Sequence, residues 1–391
     1  MPTKSIKEAL GRIYIPDLVL FSLVLFLAGL GLVMVYSASS VTSLERFGDS
    51  AYYLKRQAVF VLAGVVGMVL VTSSDYNRWV RWGGWMLMAS VLSLVLLHIP
   101  GLGVRVNGSL RWLNLGGFRI QPAEFAKLSC ILYLAWALVR KGSQVKSFAY
   151  GLLPLGLVAG LLAGLLLLQP DFGNAVLLMT LAGLLIFLAG APIMYLGGVV
   201  LASLPAIYFL IVGKEYRMRR LTAFLNPWND PSNTSYQIVQ SFTAFFSGGL
   251  WGRGLGNSQE KLYYLPEVHT DFIGAVLGEE VGFLGVALLV GAFVVFVVRG
   301  YRIALRARDP SGFLVAAGCT TLVGLQALLN LCVVMGLLPT KGLPLPFLSH
   351  GGSALMVSFF ASGLILSVGR KARLDGGVPD SSWLKHWNGR W

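Results

Sequence analysis

Long apolar runs separated by short charged intervals dominate this chain, and Leu18 to Val35 contains no charged residue at all. A hydrocarbon layer about 30 Å thick takes roughly 20 apolar residues of helix. On that measure the runs predict ten spans, near 18–39, 57–72, 79–98, 122–139, 150–168, 174–190, 193–212, 272–298, 312–337 and 351–369. The expected fold class is an all-α polytopic membrane protein of about ten transmembrane helices, with a large extracytoplasmic loop between spans 7 and 8. The expected organisation is a cytoplasmic segment at 1–16, a ten-span membrane domain at 17–370 that includes the loop at 213–271, and a cytoplasmic tail at 371–391.

Composition agrees with the pattern. Hydrophobic residues make up 56% of the chain and charged residues 12%, about half the charge of a soluble domain and too little polar surface for a water-exposed fold. The first apolar run is too long for a cleaved signal peptide and reads as the first span. Lys4, Lys7 and Arg12, the pairs and clusters at Arg78 and Arg81, Arg140, Lys141 and Lys146, and Arg299 to Arg308, and the tail start at Arg370 to Arg373 all fall on one predicted side. By the positive-inside rule that side is cytoplasmic and both termini lie there. The formal charge of +14 is then explained by loops facing anionic lipid, and no nucleic acid is needed. Cys130, Cys319 and Cys332 sit inside apolar segments, as buried inert thiols do. The sequence contains no HExxH, Walker or Rossmann motif, so the energy for any reaction arrives with the substrate.

Two predicted outer segments are basic against that rule: 99–121, with Arg105, Arg111 and Arg119, and 213–271, with Lys214, Arg217, Arg219, Arg220, Arg253 and Lys261. Long loops cross regardless of charge; alternatively, arginines there hold an anionic ligand. Of seventeen acidic residues, five (Glu260, Glu267, Asp271, Glu279 and Glu280) cluster where the long loop meets span 8. Asp271 is either the N-cap of that helix or a general base raised toward neutrality by its apolar surroundings. Glu279 and Glu280 diverge by about 100° on a helix, so one of them is expected to face the interior. Glu124 and Lys127, at i,i+3 in span 4, form either a structural ion pair or part of a polar site. A tight turn at Gln169 to Asn174 and a segment with three prolines, Leu338 to Ser353, complete four polar elements on one predicted face.

Those elements, Gln121-Pro-Ala-Glu124, Gln169-Pro-Asp-Phe-Gly173, Leu265-Pro-Glu-Val-His-Thr-Asp-Phe272 and Leu338 to Ser353, resemble the SEDS family (shape, elongation, division and sporulation) in order and across nearly the whole chain. Gly254 to Ser258 with Lys261, and Pro339 to Gly342, resemble the division branch more than the elongation branch, and spore-cortex members are close to it. The chain departs from the family pattern at His350, where tyrosine is usual, and at Ala354 and Gly274. The resemblance implies a ten-span peptidoglycan glycosyltransferase that polymerises lipid II, an undecaprenyl-pyrophosphate disaccharide-pentapeptide, on the outer face of the bacterial inner membrane at the division septum. It implies Asp271 as the essential aspartate, Arg119, Glu124 and Lys127 as cavity-lining groups and Glu280 as the family's glutamate of span 8. Candidate substrate contacts are Arg119, Glu124, Lys127, Arg217, Arg219, Arg220, Lys261 and Glu280, with Lys341 and Ser349 from the proline-rich segment. A divalent cation, magnesium or manganese, is compatible with pyrophosphate chemistry, and no cofactor is otherwise required. The implied partners are a class B penicillin-binding protein transpeptidase, other divisome proteins and membrane lipid. A lipid II flippase, a non-catalytic scaffold and an O-antigen ligase or polymerase are the alternatives. Trp383, Trp387 and Trp391 recur on one helical face of an otherwise disordered-looking tail.

Overall fold

The computed structural model describes residues 16–106, 109–116, 118–231, 235–259 and 269–374. Lys261, Glu260, Glu267 and the tail tryptophans lie outside the described residues. Ten of the helices follow the ten apolar runs: α1 (Leu18–Phe47), α2 (Tyr52–Ser73), α3 (Tyr76–Leu96), α4 (Pro122–Lys141), α5 (Leu153–Leu168), α6 (Phe172–Leu188), α7 (Ile193–Val212), α10 (Ile273–Leu305), α11 (Pro310–Val334) and α12 (Gly352–Leu374). Nine described segments are long and apolar enough to cross a membrane, while α6, with 17 residues, is at the lower limit of length. Asp17 caps α1 by accepting from Leu20 N at 2.9 Å, and Pro122 and Pro310 open α4 and α11, where a missing N–H costs nothing.

The bundle is centred on α4, α11 and α12, with α2 and α1 packed on α12 and α10, and α3 on α4. Helix α7 stands at the periphery: its apolar stretch is not buried against the protein, and Met194, Leu201 and Phe209 are each more than two-thirds exposed. Such a helix is solvated by lipid rather than by other helices.

The segments between spans are more ordered than their sequence suggests. Residues 99–121 contain a three-stranded antiparallel sheet of β1 (Gly103–Val106), β2 (Ser109–Leu115) and β3 (Phe118–Ile120), in that order. The expected long loop carries α8 (Glu215–Leu225) and α9 (Tyr236–Gly248). The final helix continues past Arg370 to Leu374, so the expected start of the tail is still helical.

Helix α10 is broken at Gly282, whose φ of 73° and ψ of −170° suit glycine alone. The reason is a close backbone approach: a Cβ there would collide with Gly252 N and crowd Leu250 O. The irregular segment that follows α9 replaces part of the helix ladder. Phe283 N donates to Gly249 O at 2.9 Å, while Glu279 O and Glu280 O accept from Arg253 N and Gly254 N at 3.0 Å each. The proline-rich segment is anchored in a similar way, against Gly31 of α1, where a Cβ would strike the main chain of Phe347 and Leu348.

Candidate active site

At the end of the bundle where α4, α6, α10 and α12 begin, a cavity of about 210 Å³ is lined by Asp271, Arg111, Arg220, Lys341, Gln121 and His350, among others. A neighbouring hollow of about 90 Å³ shares Arg111, Arg220, Lys341 and Gly342 with it and adds Arg217, Asp171 and Phe172. In the larger cavity Asp271 thus shares the lining with basic groups contributed by three separate segments. Gly342 makes the approach possible: a Cβ there would lie 2.9 Å from Asp271 Oδ2 and 3.9 Å from Arg111 Nη1.

Asp271 is not a helix cap. The residue at the N-cap of α10 is Phe272, whose side chain makes no capping hydrogen bond. The half-buried carboxylate of Asp271 belongs to the position before that cap. Its main chain is fixed from α11: Asn330 Nδ2 donates to Asp271 O at 2.8 Å and to Leu343 O at 2.7 Å. One turn earlier, Gln326 Nε2 donates to Pro344 O at 3.1 Å. Two amides at i,i+4 on one helix face thus hold the acidic loop and the proline-rich segment in register.

The cations are held by carbonyls and an aromatic ring. Arg111 Nη2 donates to Pro170 O at 2.5 Å, and its Nε lies 3.7 Å from Asp171 Oδ2. Arg220 Nη1 donates to Thr340 O at 3.2 Å, and Arg217 Nη1 to Leu210 O at 2.6 Å. Arg217 and Lys341 both lie 5.5 Å from the centroid of the Phe172 ring, within reach of its negative face. Burial lowers the Lys341 ammonium from its usual pKa, as desolvation does to a cation. Nearby anionic charge would reverse that penalty.

Other candidates from the sequence lie elsewhere. Arg119 belongs to β3 opposite Asn114, while Leu113 pairs with Ile120. Leu113 is buried, so register puts Arg119 on the outward face of the sheet and Arg111, two residues before Leu113, on the inward one. Arg111, not Arg119, lines the cavity. Arg219 is exposed and pairs with Glu215 at 2.5 Å. Glu124 and Lys127 form a fully buried pair at 2.7 Å, and Lys127 Nζ also donates to Gln326 Oε1 at 3.1 Å. The pair therefore braces the amide that holds Pro344 and does not line the cavity. Ser349 is buried; it donates to Thr270 O at 2.5 Å and accepts from Leu345 N at 2.8 Å, closing the loop beside Asp271.

Glu280 accepts from Ser37 Oγ at 2.6 Å and from Ser258 N at 3.4 Å. Glu279 accepts from Arg253 Nη1 at 3.2 Å, from Gln259 N at 3.0 Å and from Ser258 Oγ. Both carboxylates are buried, not one as expected, because the segment after α9 wraps across both of their directions. His350 does line the cavity, with Nδ1 3.2 Å from Gln57 Oε1. Burial, helped by His269 and Arg56, pushes its pKa down to about 4, so it is a neutral group at pH 7.

A helical bundle with apolar spans and a charged cavity at one end defines a multi-pass membrane protein with a polar site at its boundary. Residues 17–374 match the family of FtsW, RodA and SpoVE, described as "Cell cycle protein", and the chain belongs to this family, known as SEDS. It is 45% identical over 358 residues to "Probable peptidoglycan glycosyltransferase FtsW" of Trichlorobacter lovleyi, covering 92% of this chain and 94% of that one. It is 42% identical to "Stage V sporulation protein E" of Bacillus subtilis, covering 92% and 98%. Among solved structures, it resembles one reported as "Structural coordination of polymerization and crosslinking by a peptidoglycan synthase complex", with a TM-score of 0.74, 29% identity and coverage of 91% and 98%. Rod shape determining protein RodA of Thermus thermophilus matches with a TM-score of 0.67, 30% identity and coverage of 91% and 97%.

Proposed function

We propose that this protein is a peptidoglycan glycosyltransferase that polymerises lipid II into glycan strands at the outer face of the cytoplasmic membrane, in septal wall synthesis. The observation that carries this reading is the carboxylate of Asp271 lining one cavity together with Arg111, Arg220 and Lys341. The relatives' names support the activity, and 45% identity to a protein named FtsW favours the division branch.

The donor carries its own leaving group, an undecaprenyl pyrophosphate. Arg111, Arg217, Arg220 and Lys341 supply positive charge where that group departs, arginine gripping phosphate oxygens in pairs. Asp271 takes the proton from the acceptor's 4-hydroxyl as that oxygen attacks the donor's anomeric carbon. An α-linked donor giving a β-linked product inverts in one displacement, so one base suffices and no covalent enzyme intermediate forms. Among the described residues, Asp271 is the only carboxylate lining the larger cavity. A magnesium or manganese ion there would draw its other ligands from the substrate's phosphates.

Both termini are cytoplasmic in this reading, and the segment between α7 and α10 is extracytoplasmic. The likeness to a peptidoglycan synthase complex supports a class B penicillin-binding protein as partner, within a divisome. The test is polymerisation of purified lipid II, with that partner present, by wild type and Asp271→Asn. General-base loss lowers the rate by about 10²–10⁴. Wild-type glycan lengths and rates from a folded Asp271→Asn protein would exclude Asp271 as the base, and no product from wild type would favour a flippase or a scaffold.

A further inference from the structure

The opposite end of the bundle holds a larger hollow, of about 390 Å³, which the chemistry above does not use. It is enclosed by Pro16 and Asp17 ahead of α1, Arg299, Ile303 and Arg306 at the end of α10, and Gly369, Ala372 and Arg373 of α12. From Ala354, which lines the first cavity, to Gly369, which lines this one, α12 runs roughly 22 Å at its rise per residue, so the two sites sit at opposite ends of the bundle.

The hollow has two kinds of wall. Positions 299, 303 and 306 share one face of α10, and 369, 372 and 373 share one face of α12. Ile303, Gly369 and Ala372 make an apolar floor, closed where a Cβ on Gly369 would lie 3.3 Å from Ile303 Cγ2 and 3.5 Å from Pro16 Cγ. Three arginines make the rim. Among the described residues lining the space there is one carboxylate, Asp17, which Arg299 grips through Nε at 3.0 Å and Nη2 at 2.6 Å. Arg373 reaches Pro16 O at 3.4 Å, and Arg306 is exposed. Basic residues in a last turn complement helix carbonyls, but Arg299 lies nearly two turns before the end of α10, and carbonyl capping requires no hollow.

We propose that this cavity binds the phosphate of an anionic phospholipid headgroup. Guanidinium forks match phosphate oxygens, and the apolar floor receives the glycerol and first acyl carbons, which a free phosphate lacks. Basic pockets between spans, at the end rich in lysine and arginine, are where such headgroups settle. Arg370 and Lys371 add to the positive field at this end.

The full-length protein in neutral detergent is titrated with phosphatidylglycerol, phosphatidylcholine or inorganic phosphate while its melting midpoint is followed. Phosphatidylglycerol alone raises the midpoint. Arg306→Gln with Arg373→Gln needs about thirtyfold more of that lipid for the same rise, two basic groups at a membrane surface being removed. Arg78→Gln with Arg81→Gln, exposed at the same end but outside the cavity, responds as wild type does. Arg306→Gln alone, altering one exposed side chain, serves if the double variant does not fold, and it too shows a weakened response. An equal rise with phosphatidylcholine or inorganic phosphate, or a wild-type response from the cavity variants, overturns the proposal.

Discussion

The side chain of Asn330 holds the main chain of Asp271: its amide donates to Asp271 O at 2.8 Å and, with its second hydrogen, to Leu343 O at 2.7 Å. One buried group on α11 therefore fixes the distance between the candidate base and the segment that carries Lys341. Asn330→Asp is nearly isosteric and cannot donate, so it loses both bonds and repels the carbonyls. Polymerisation by this variant falls at least tenfold in kcat with a smaller change in KM, as expected of misplacement within a site that still binds. Asn330→Leu, which leaves two carbonyls unsatisfied, loses about 1–3 kcal/mol in denaturant unfolding.

Arg111 and Arg119 occupy opposite faces of one small sheet. Arg111→Gln weakens use of lipid II by about tenfold or more in kcat/KM, since a charge-assisted contact to phosphate contributes roughly 1.5–3 kcal/mol. Arg119→Gln stays within about twofold of wild type, as an exposed surface change does. Equal losses in the two variants would mean that the sheet register does not determine which arginine meets substrate.

The buried Glu124 and Lys127 pair gives a stability prediction. Lys127→Met strands a carboxylate that is 1% exposed, at a cost of about 3–5 kcal/mol. Glu124→Gln combined with Lys127→Met recovers most of it, because no uncompensated charge remains. Unfolding midpoints of the two single variants and the double variant read the coupling directly.

His350 gives a pH dependence. Its folded pKa, about 4, lies below the unfolded value near 6.5, so folding favours the neutral ring. The stability linked to this group is intact above pH 6.5 and declines as pH falls toward 4, by up to about 3 kcal/mol. His350→Gln keeps a neutral polar group there and removes that decline. Melting curves of wild type and variant should diverge between pH 6.5 and 4, with wild type the more acid-sensitive.

The spans were legible in the sequence because a bilayer imposes nearly one length on every apolar run. Asp271, Arg217, Arg220 and Lys341 were legible as charges at predicted span ends that the structure brings together. Arg111 and Arg119, by contrast, are equivalent letters in a basic loop until strand pairing assigns them to opposite faces, and strands of four, seven and three residues give a weak alternation. Asn330 and Gln326 were hidden inside an apolar run. Their partners are carbonyls, which leave no trace in residue identity, and Asp271 lies 59 positions from Asn330. Glu124 and Lys127 were recognised as a pair, but spacing alone does not say whether a pair faces a cavity or braces one.

The break at Gly282 also bears on how the chain is made. Only the stretch after it, 283–305, is free of acidic residues, so this is the part of α10 suited to entering lipid unaided, whereas Glu279 and Glu280 need company. That company, Arg253, Ser258 and Gln259, precedes them in the chain and is synthesised first. The ribosome thus delivers the receiving loop before the charges it must shelter, and neither glutamate has to wait in the bilayer for a partner not yet translated.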